Sequence, residues 1–167
     1  EGAEDSFIRT LSQMQDDLRR DYVTGVYNAV YLNEQYRPIA ERAAMSGTPV
    51  GVVMVRVNEY WQLREHESDS AANCCLNMAA GILQLAVGPD HDKAVLARLN
   101  DGFFAIVTIG TPAARMAQTV REAMNDSRRE FNISLSRRGS FTAEIASAEW
   151  GETASWDMTL SLAQQRL

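Results

Sequence analysis

The chain has 167 residues and a mass of 18.6 kDa, with 46% hydrophobic and 23% charged residues, the size and composition of one globular domain with an appended helix. Sixteen Lys and Arg against 22 Asp and Glu give a formal charge of -6, which repels a nucleic-acid backbone on average and excludes general polyanion binding. No apolar run approaches the roughly 20 residues that a membrane-spanning helix needs, and the opening Glu1-Gly2-Ala3-Glu4 is not a signal segment.

The missing initiator Met points to a piece of a longer protein. Asp5 to Arg20 predicts a helix, because Phe7, Leu11, Met14 and Leu18 alternate at spacings of four and three, the seam of a coiled coil. A second helical stretch runs from about Asn28 to Met45, is bent or restarted at Pro38, and stops at Ser46-Gly47-Thr48-Pro49. Val50 to Val57 is a continuous apolar run of strand length, which predicts a central strand buried on both faces. Ser68 to Ala86 has helical period and ends at Gly88-Pro89. Ala94 to Leu99 and Phe103 to Ile109 then predict a hairpin around Asn100-Asp101-Gly102, residue types that tolerate positive φ. Thr111-Pro112 opens a helix that ends near Ser127. Arg128 to Gly139 is polar and basic and predicts a loop or edge hairpin; Phe141 to Ala148 alternates as a last strand, and Ser155 to Leu167 closes as a helix. The central order, strand, helix, strand, strand, helix, strand, predicts an α/β (α+β) fold with a ferredoxin-like βαββαβ core, a mainly antiparallel sheet with two helices on one face.

Much common chemistry is missing. There is no Gly-x-x-x-x-Gly-Lys-Ser/Thr phosphate loop and no Gly-x-Gly-x-x-Gly fingerprint. His66 and His91 have no partner at zinc-ligand spacing and read as surface residues. The adjacent Cys74 and Cys75 do not easily reach disulfide geometry; they read as free thiols packed on a helix, which favours a cytoplasmic setting. Arg128-Arg129 and Arg137-Arg138 read as a solvated loop, and Glu65, Glu67 and Asp69 as a solvated helix start without calcium-loop spacing.

Asp21-Tyr22-Val23-Thr24-Gly25-Val26-Tyr27-Asn28 resembles the Asp-x-Leu-Thr-Gly-Leu-x-Asn signature that opens GGDEF domains, the bacterial diguanylate cyclase family. The strand end Arg56-Val57-Asn58-Glu59-Tyr60 and the hairpin Arg98-Leu99-Asn100-Asp101-Gly102-Phe103-Phe104, where the family writes Arg-x-Gly-Gly-Asp-Glu-Phe, extend the resemblance over Asp21 to Leu167. It implies a signalling helix over residues 1–20 and a GGDEF-like domain over residues 21–167. Active members condense two GTP molecules into cyclic di-GMP between two domains, with magnesium held by carboxylates at the strand end and in the hairpin.

The resemblance also implies that this site is vestigial. Arg56 stands at the strand-end aspartate, Asn100 and Asp101 at the paired glycines, and Gly102 and Phe103 at the hairpin acids, so no metal cofactor is expected. The nucleotide-binding positions carried over are Asn28, Arg64 and Asn73, the last two replacing the guanine-recognising Asn and Asp. The product-inhibition motif falls on His91 and Ala94 and is expected to be absent. Arg56 is expected to rest in a salt bridge with a neighbouring acid.

The leading expectation is a degenerate, inactive GGDEF domain of a cyclic di-GMP signalling protein. It would act as a regulatory or dimerisation module beside a sensor or phosphodiesterase domain, homodimeric through the N-terminal helix, with weak or no GTP binding. The alternatives are a metal-independent GTP receptor using Arg56 and Arg64, and a residual cyclase with unusual ligands such as Asn58 and Glu59.

Overall fold

The apolar run from Val50 to Val57 forms the middle of the sheet, because a strand with an apolar side chain at nearly every position must be covered on both faces. The computed structural model describes residues 2–134 and 142–167. In chain order the elements are α1 (Gly2–Arg19), β1 (Tyr27–Asn28), α2 (Ala29–Tyr31), a π-helical turn (Leu32–Tyr36), α3 (Arg37–Met45), β2 (Val50–Val57), α4 (Tyr60–His66) and α5 (Asp69–Val87). There follow β3 (Ala94–Asn100), β4 (Phe103–Ile109), α6 (Ala113–Ser134), β5 (Ala143–Glu149), α7 (Trp150–Thr153) and α8 (Trp156–Gln165).

The sheet order is β1-β3-β4-β2-β5, antiparallel throughout except for the two-residue β1, which pairs parallel to β3 at Ala97 and Arg98. Without β1 this is the ferredoxin-like order expected from the sequence. The two helices of this core, α5 and α6, share one face as expected, and further helices of the domain cover the other face. Val53, Val55 and Val57 pack with Leu76 and Leu83 of α5 and Val120 of α6 on one side. Val50, Val52 and Met54 pack with Leu32, Tyr36 and Trp156 on the other. The alternate side chains of one strand thus need two helical layers, the second made by the segment before β2 and by α8.

Local chemistry places these helices. Pro38 lacks an N–H and sits in the first turn of α3, just after the π-helical turn, so the helical segment restarts there. Asn33 in that turn accepts a 2.9 Å hydrogen bond from Trp156 Nε1 and ties α8 to it. Ser68 caps α5 by accepting from the Ala71 N–H, and Gly88 ends the helix at φ 78°. At the start of α6 the Ala114 N–H donates to Glu149 Oε1 at 3.1 Å, a cap supplied from the end of β5. A Cβ at Gly51 would lie 2.5 Å from the Ala113 Cβ and 2.7 Å from Glu149 Oε2, so only glycine lets helix and strand meet there.

Two expectations are corrected. The helix opened by Pro112 does not end near Ser127 but continues to Ser134, so 128–134 is helical; the remainder of the expected loop, 135–139, lies outside the described residues. Among the described residues one helix, Asp69–Val87, is long and apolar enough to cross a membrane by length and composition alone, contrary to the expectation from its interrupted apolar pattern. Its buried face, including Cys75, Leu76, Ala79 and Leu83, packs on the sheet.

The helix α1 forms as predicted and has no buried residue; Phe7, Leu11, Met14 and Leu18 are 44–75% exposed. Its C-terminal end is fixed to the domain by Asn28 Nδ2, which donates to the Leu18 carbonyl at 2.7 Å. At the far side of the sheet, β5 is an edge strand whose carbonyls at Ile145 and Ser147 accept from the guanidinium groups of Arg121 and Arg166, at 3.1 and 2.7 Å.

Candidate functional site

The hairpin between β3 and β4 carries the site. The ladder slips between Arg98 and Asn100, and Asp101 takes φ 47°, a left-handed conformation that Asp tolerates better than most residues. Gly102 does not use the positive φ expected of it. It is needed for space: a Cβ there would lie 3.0 Å from the Tyr60 Cβ and 3.1 Å from the Val57 carbonyl. Its own carbonyl accepts from the Val57 N–H at 2.9 Å, which joins the hairpin to the end of β2.

At that strand end Arg56 lies opposite Phe103 on one side and Glu144 on the other. The expected salt bridge is not formed: among the described residues no carboxylate pairs with Arg56, whose Nε donates instead to Asn58 Oδ1 at 3.2 Å. Asn58 Nδ2 donates to Thr142 Oγ1 at 3.1 Å, and that hydroxyl gives its single proton to Glu59 Oε1 at 2.7 Å. The Thr142 N–H donates to Glu59 Oε2 at 2.8 Å. Both oxygens of Glu59 are thereby committed to holding the start of β5.

Arg64, at the end of α4, reaches Asp101 Oδ1 at 3.4 Å and Asp69 Oδ1 at 3.7 Å, so it spans the gap between the hairpin and the first turn of α5. Asn73 lies one turn further along α5, half-buried, its carbonyl accepting from Asn77 Nδ2. Phe103 packs edge-on against Trp61 at 5.6 Å, and Trp61 against Tyr60 at 5.5 Å, so the position expected of a metal-binding acid is part of an aromatic cluster. Asn100 is exposed at the turn. Asn28 is apart from this group, opposite Arg98 in the β1/β3 pair. Its amide oxygen caps α2 by accepting from the Tyr31 N–H at 2.9 Å.

Sequence reasoning missed three contacts. Asp21 and Arg98, quoted as members of two motifs, form an ion pair at 3.1 Å with both side chains only 12% exposed. Arg98 Nε also donates to the Asp101 carbonyl at 3.0 Å, while Asp21 accepts from the backbone and hydroxyl of Thr24. Both residues were visible; their contact spans 77 positions and has no local signal. The aromatic cluster and the Glu59–Thr142 tie are likewise long-range.

A divalent hard cation takes anionic oxygens, and here the matching positions offer a guanidinium, a glycine and a phenyl ring. Among the described residues no group of three or more His, Cys, Asp or Glu is placed to hold a metal ion. Both histidines are exposed, and His91 Nδ1 lies 3.3 Å from the Tyr27 hydroxyl. Cys75 is buried and Cys74 exposed. Burial, with the nearby Glu59 charge, pushes the Cys75 thiol up to about 12, which makes it a poor nucleophile at neutral pH.

The family model described as "Diguanylate cyclase, GGDEF domain" matches residues 18–167. The chain belongs to the GGDEF family. Solved GGDEF structures share its fold. The coiled coil and GGDEF domain of DgcB from Caulobacter crescentus, in complex with c-di-GMP, superposes with a TM-score of 0.80 at 18% identity, covering 98% of this chain and 86% of that one. The FimX GGDEF domain from Pseudomonas aeruginosa gives 0.68 at 21% identity, covering 88% of this chain and 90% of that one. The c-di-GMP-bound S helix-GGDEF-EAL portion of Vibrio cholerae LapD gives 0.75 at 15% identity, covering 96% of this chain and 36% of that one. The N-terminal helix and the five-stranded sheet are therefore those of a GGDEF domain.

Proposed function

We propose that this GGDEF domain makes no cyclic di-GMP and serves as a regulatory and dimerisation module of a cyclic di-GMP signalling protein. The observation that carries the reading is the end of β2, where the Arg56 guanidinium stands at the position of the metal-binding acid and bonds to Asn58. A permanent cation with no neighbouring carboxylate pair offers a divalent ion repulsion in place of ligands. Glu59, the nearest alternative acid, has both oxygens engaged by Thr142, which argues against a residual cyclase with unusual ligands. No metal cofactor is proposed. The free cysteines support a cytoplasmic placement.

The test is incubation with GTP and magnesium or manganese followed by chromatography. The expected result is no cyclic di-GMP; product that rises with protein concentration and is abolished by Glu59→Gln would overturn the reading. A second reading, a metal-independent receptor for GTP, has the two guanidinium groups of Arg56 and Arg64 near the hairpin in its favour. Against it, Arg64 is paired to Asp101 and Asp69, and the Asp101 carboxylate repels phosphate. Calorimetry with GTP and a chelator separates the two: weak or undetectable heat is expected, whereas submicromolar binding lost in Arg56→Ala would promote the receptor.

Relatives support the modular role. The DgcB structure carries a coiled coil, LapD an S helix and an EAL domain, and SiaD from Pseudomonas aeruginosa is seen with its activator SiaC. By this analogy α1 is the dimerising signalling helix, and a sensor or phosphodiesterase domain is the expected neighbour.

A further inference from the structure

The end of the sheet opposite the hairpin, where β2 starts, holds a cavity of about 320 Å³ between the turn after α3 and the start of α7. Ala44 and Val50 line it, and Trp150, half-buried against the same hydrophobic layer, forms a wall. Gly47 and Gly151, both exposed, bring no side chain to fill it, and a Cβ at either would meet nothing within 4 Å. The volume is at the lower end of the range of small-molecule sites, about 300–1,000 Å³.

The charged group on the lining is Glu149. Its carboxylate accepts from two backbone donors, the N–H of Ala114 at 3.1 Å and that of Glu152 in the capping box of α7. Both donors are neutral. Among the described residues no Lys or Arg forms an ion pair with Glu149, whereas its neighbour Glu152 is paired with Arg166. The adjacent indole of Trp150 likewise has no cation stacked on it among the described residues, where Arg20 on Tyr27 is the stacked guanidinium. A half-buried anion without a counter-charge thus sits beside an aromatic ring, and both attract an organic cation. The aliphatic lining favours a methylated ammonium, which donates no hydrogen bonds, over a primary one, which has three N–H groups to satisfy. We propose that this cavity binds a small quaternary ammonium compound, its methyl groups against Trp150 and the aliphatic lining and its charge facing Glu149. The site lies at the other end of β2 from Arg56, and it stands independently of whether the hairpin is catalytically silent.

Heteronuclear NMR of the 167-residue chain during titration with choline, and with neohexyl alcohol, its uncharged carbon isostere, tests the assignment. Choline should shift the Trp150 indole N–H and the Gly151 amide saturably within about 10 mM, and the alcohol should bind about tenfold more weakly. Glu149→Gln, which keeps an oxygen for the Ala114 N–H, should weaken choline about fivefold and leave the alcohol unchanged. Gly151→Leu should occupy the cavity and abolish choline binding without lowering the melting temperature, since leucine is the better helix former. No saturable shift of these two groups, equal affinity for choline and the alcohol, equal loss of both in Glu149→Gln, or unchanged choline binding by a folded Gly151→Leu variant would each overturn the proposal. So would tighter binding of ethanolamine, the primary ammonium counterpart, than of choline.

Discussion

Arg98 is the residue on which the two ends of the signature meet. Its guanidinium holds the Asp21 carboxylate after α1 and the Asp101 carbonyl of the hairpin, at a site where water is largely excluded. Removing one partner strands the other, so Asp21→Ala should cost about 3 kcal/mol in urea unfolding, and the double variant with Arg98→Ala less than the sum of the two singles. Glu152 is the acid-labile counterpart at the surface. The Arg166 guanidinium and the Glu149 N–H hold its carboxyl at about 2, below the ordinary 4.5. A depressed carboxyl contributes stability that is present above its unfolded value and is lost as pH falls from about 4.5 toward about 2. The pair is exposed and screened, so the effect is small: the gap in melting temperature between the native chain and Glu152→Gln should close over that window and shrink in high salt. The residue types at the hairpin, Arg56, Gly102 and Phe103, were legible in the sequence. What they do there, a guanidinium on Asn58, a glycine beneath Tyr60 and a ring on Trp61, depends on neighbours that no local pattern reveals.

Among the elements, those with strong punctuation were legible. Ser68 and Gly88 bracket α5, and Pro38 restarts the helical segment as expected. The end of α6 was not, because the polarity of 128–134 suggested a loop although Arg, Glu and Ile are compatible with helix. Periodicity also could not say that α8 covers the second face of the sheet, since that follows from β2 being apolar on both sides. The seam of α1 was legible, and its side chains find no cover within the domain. An isolated helix of 18 residues with five exposed large apolar side chains is marginal in water and gains by pairing. Sedimentation of the chain should therefore show a concentration-dependent dimer that Leu11→Asp with Leu18→Asp converts to monomer. A native chain that stays monomeric at high concentration would remove the physical basis of the dimerisation role.

At the scale of the molecule, a sheet covered by helices on both faces exposes backbone only at its two ends, and those ends are treated differently. On one side β1 is two residues long, too short to guide a further strand. On the other, Ile145 and Ser147, two residues apart and so pointing the same way, each have their carbonyl occupied by an arginine, and Glu152 keeps Arg166 in position. A domain that carries an unpaired apolar seam is at risk of clumping through any other sticky surface it offers, and here the β5 edge is blocked at two carbonyls while β1 covers β3 at Ala97 and Arg98. Replacing Arg121 and Arg166 together by alanine should leave the fold intact but make the chain precipitate or bind an amyloid dye on prolonged incubation, while each single variant stays clear. The two guanidinium groups thus act as stoppers: they confine self-association to a finite pair of helices and forbid the endless growth that an open ribbon of strands would permit.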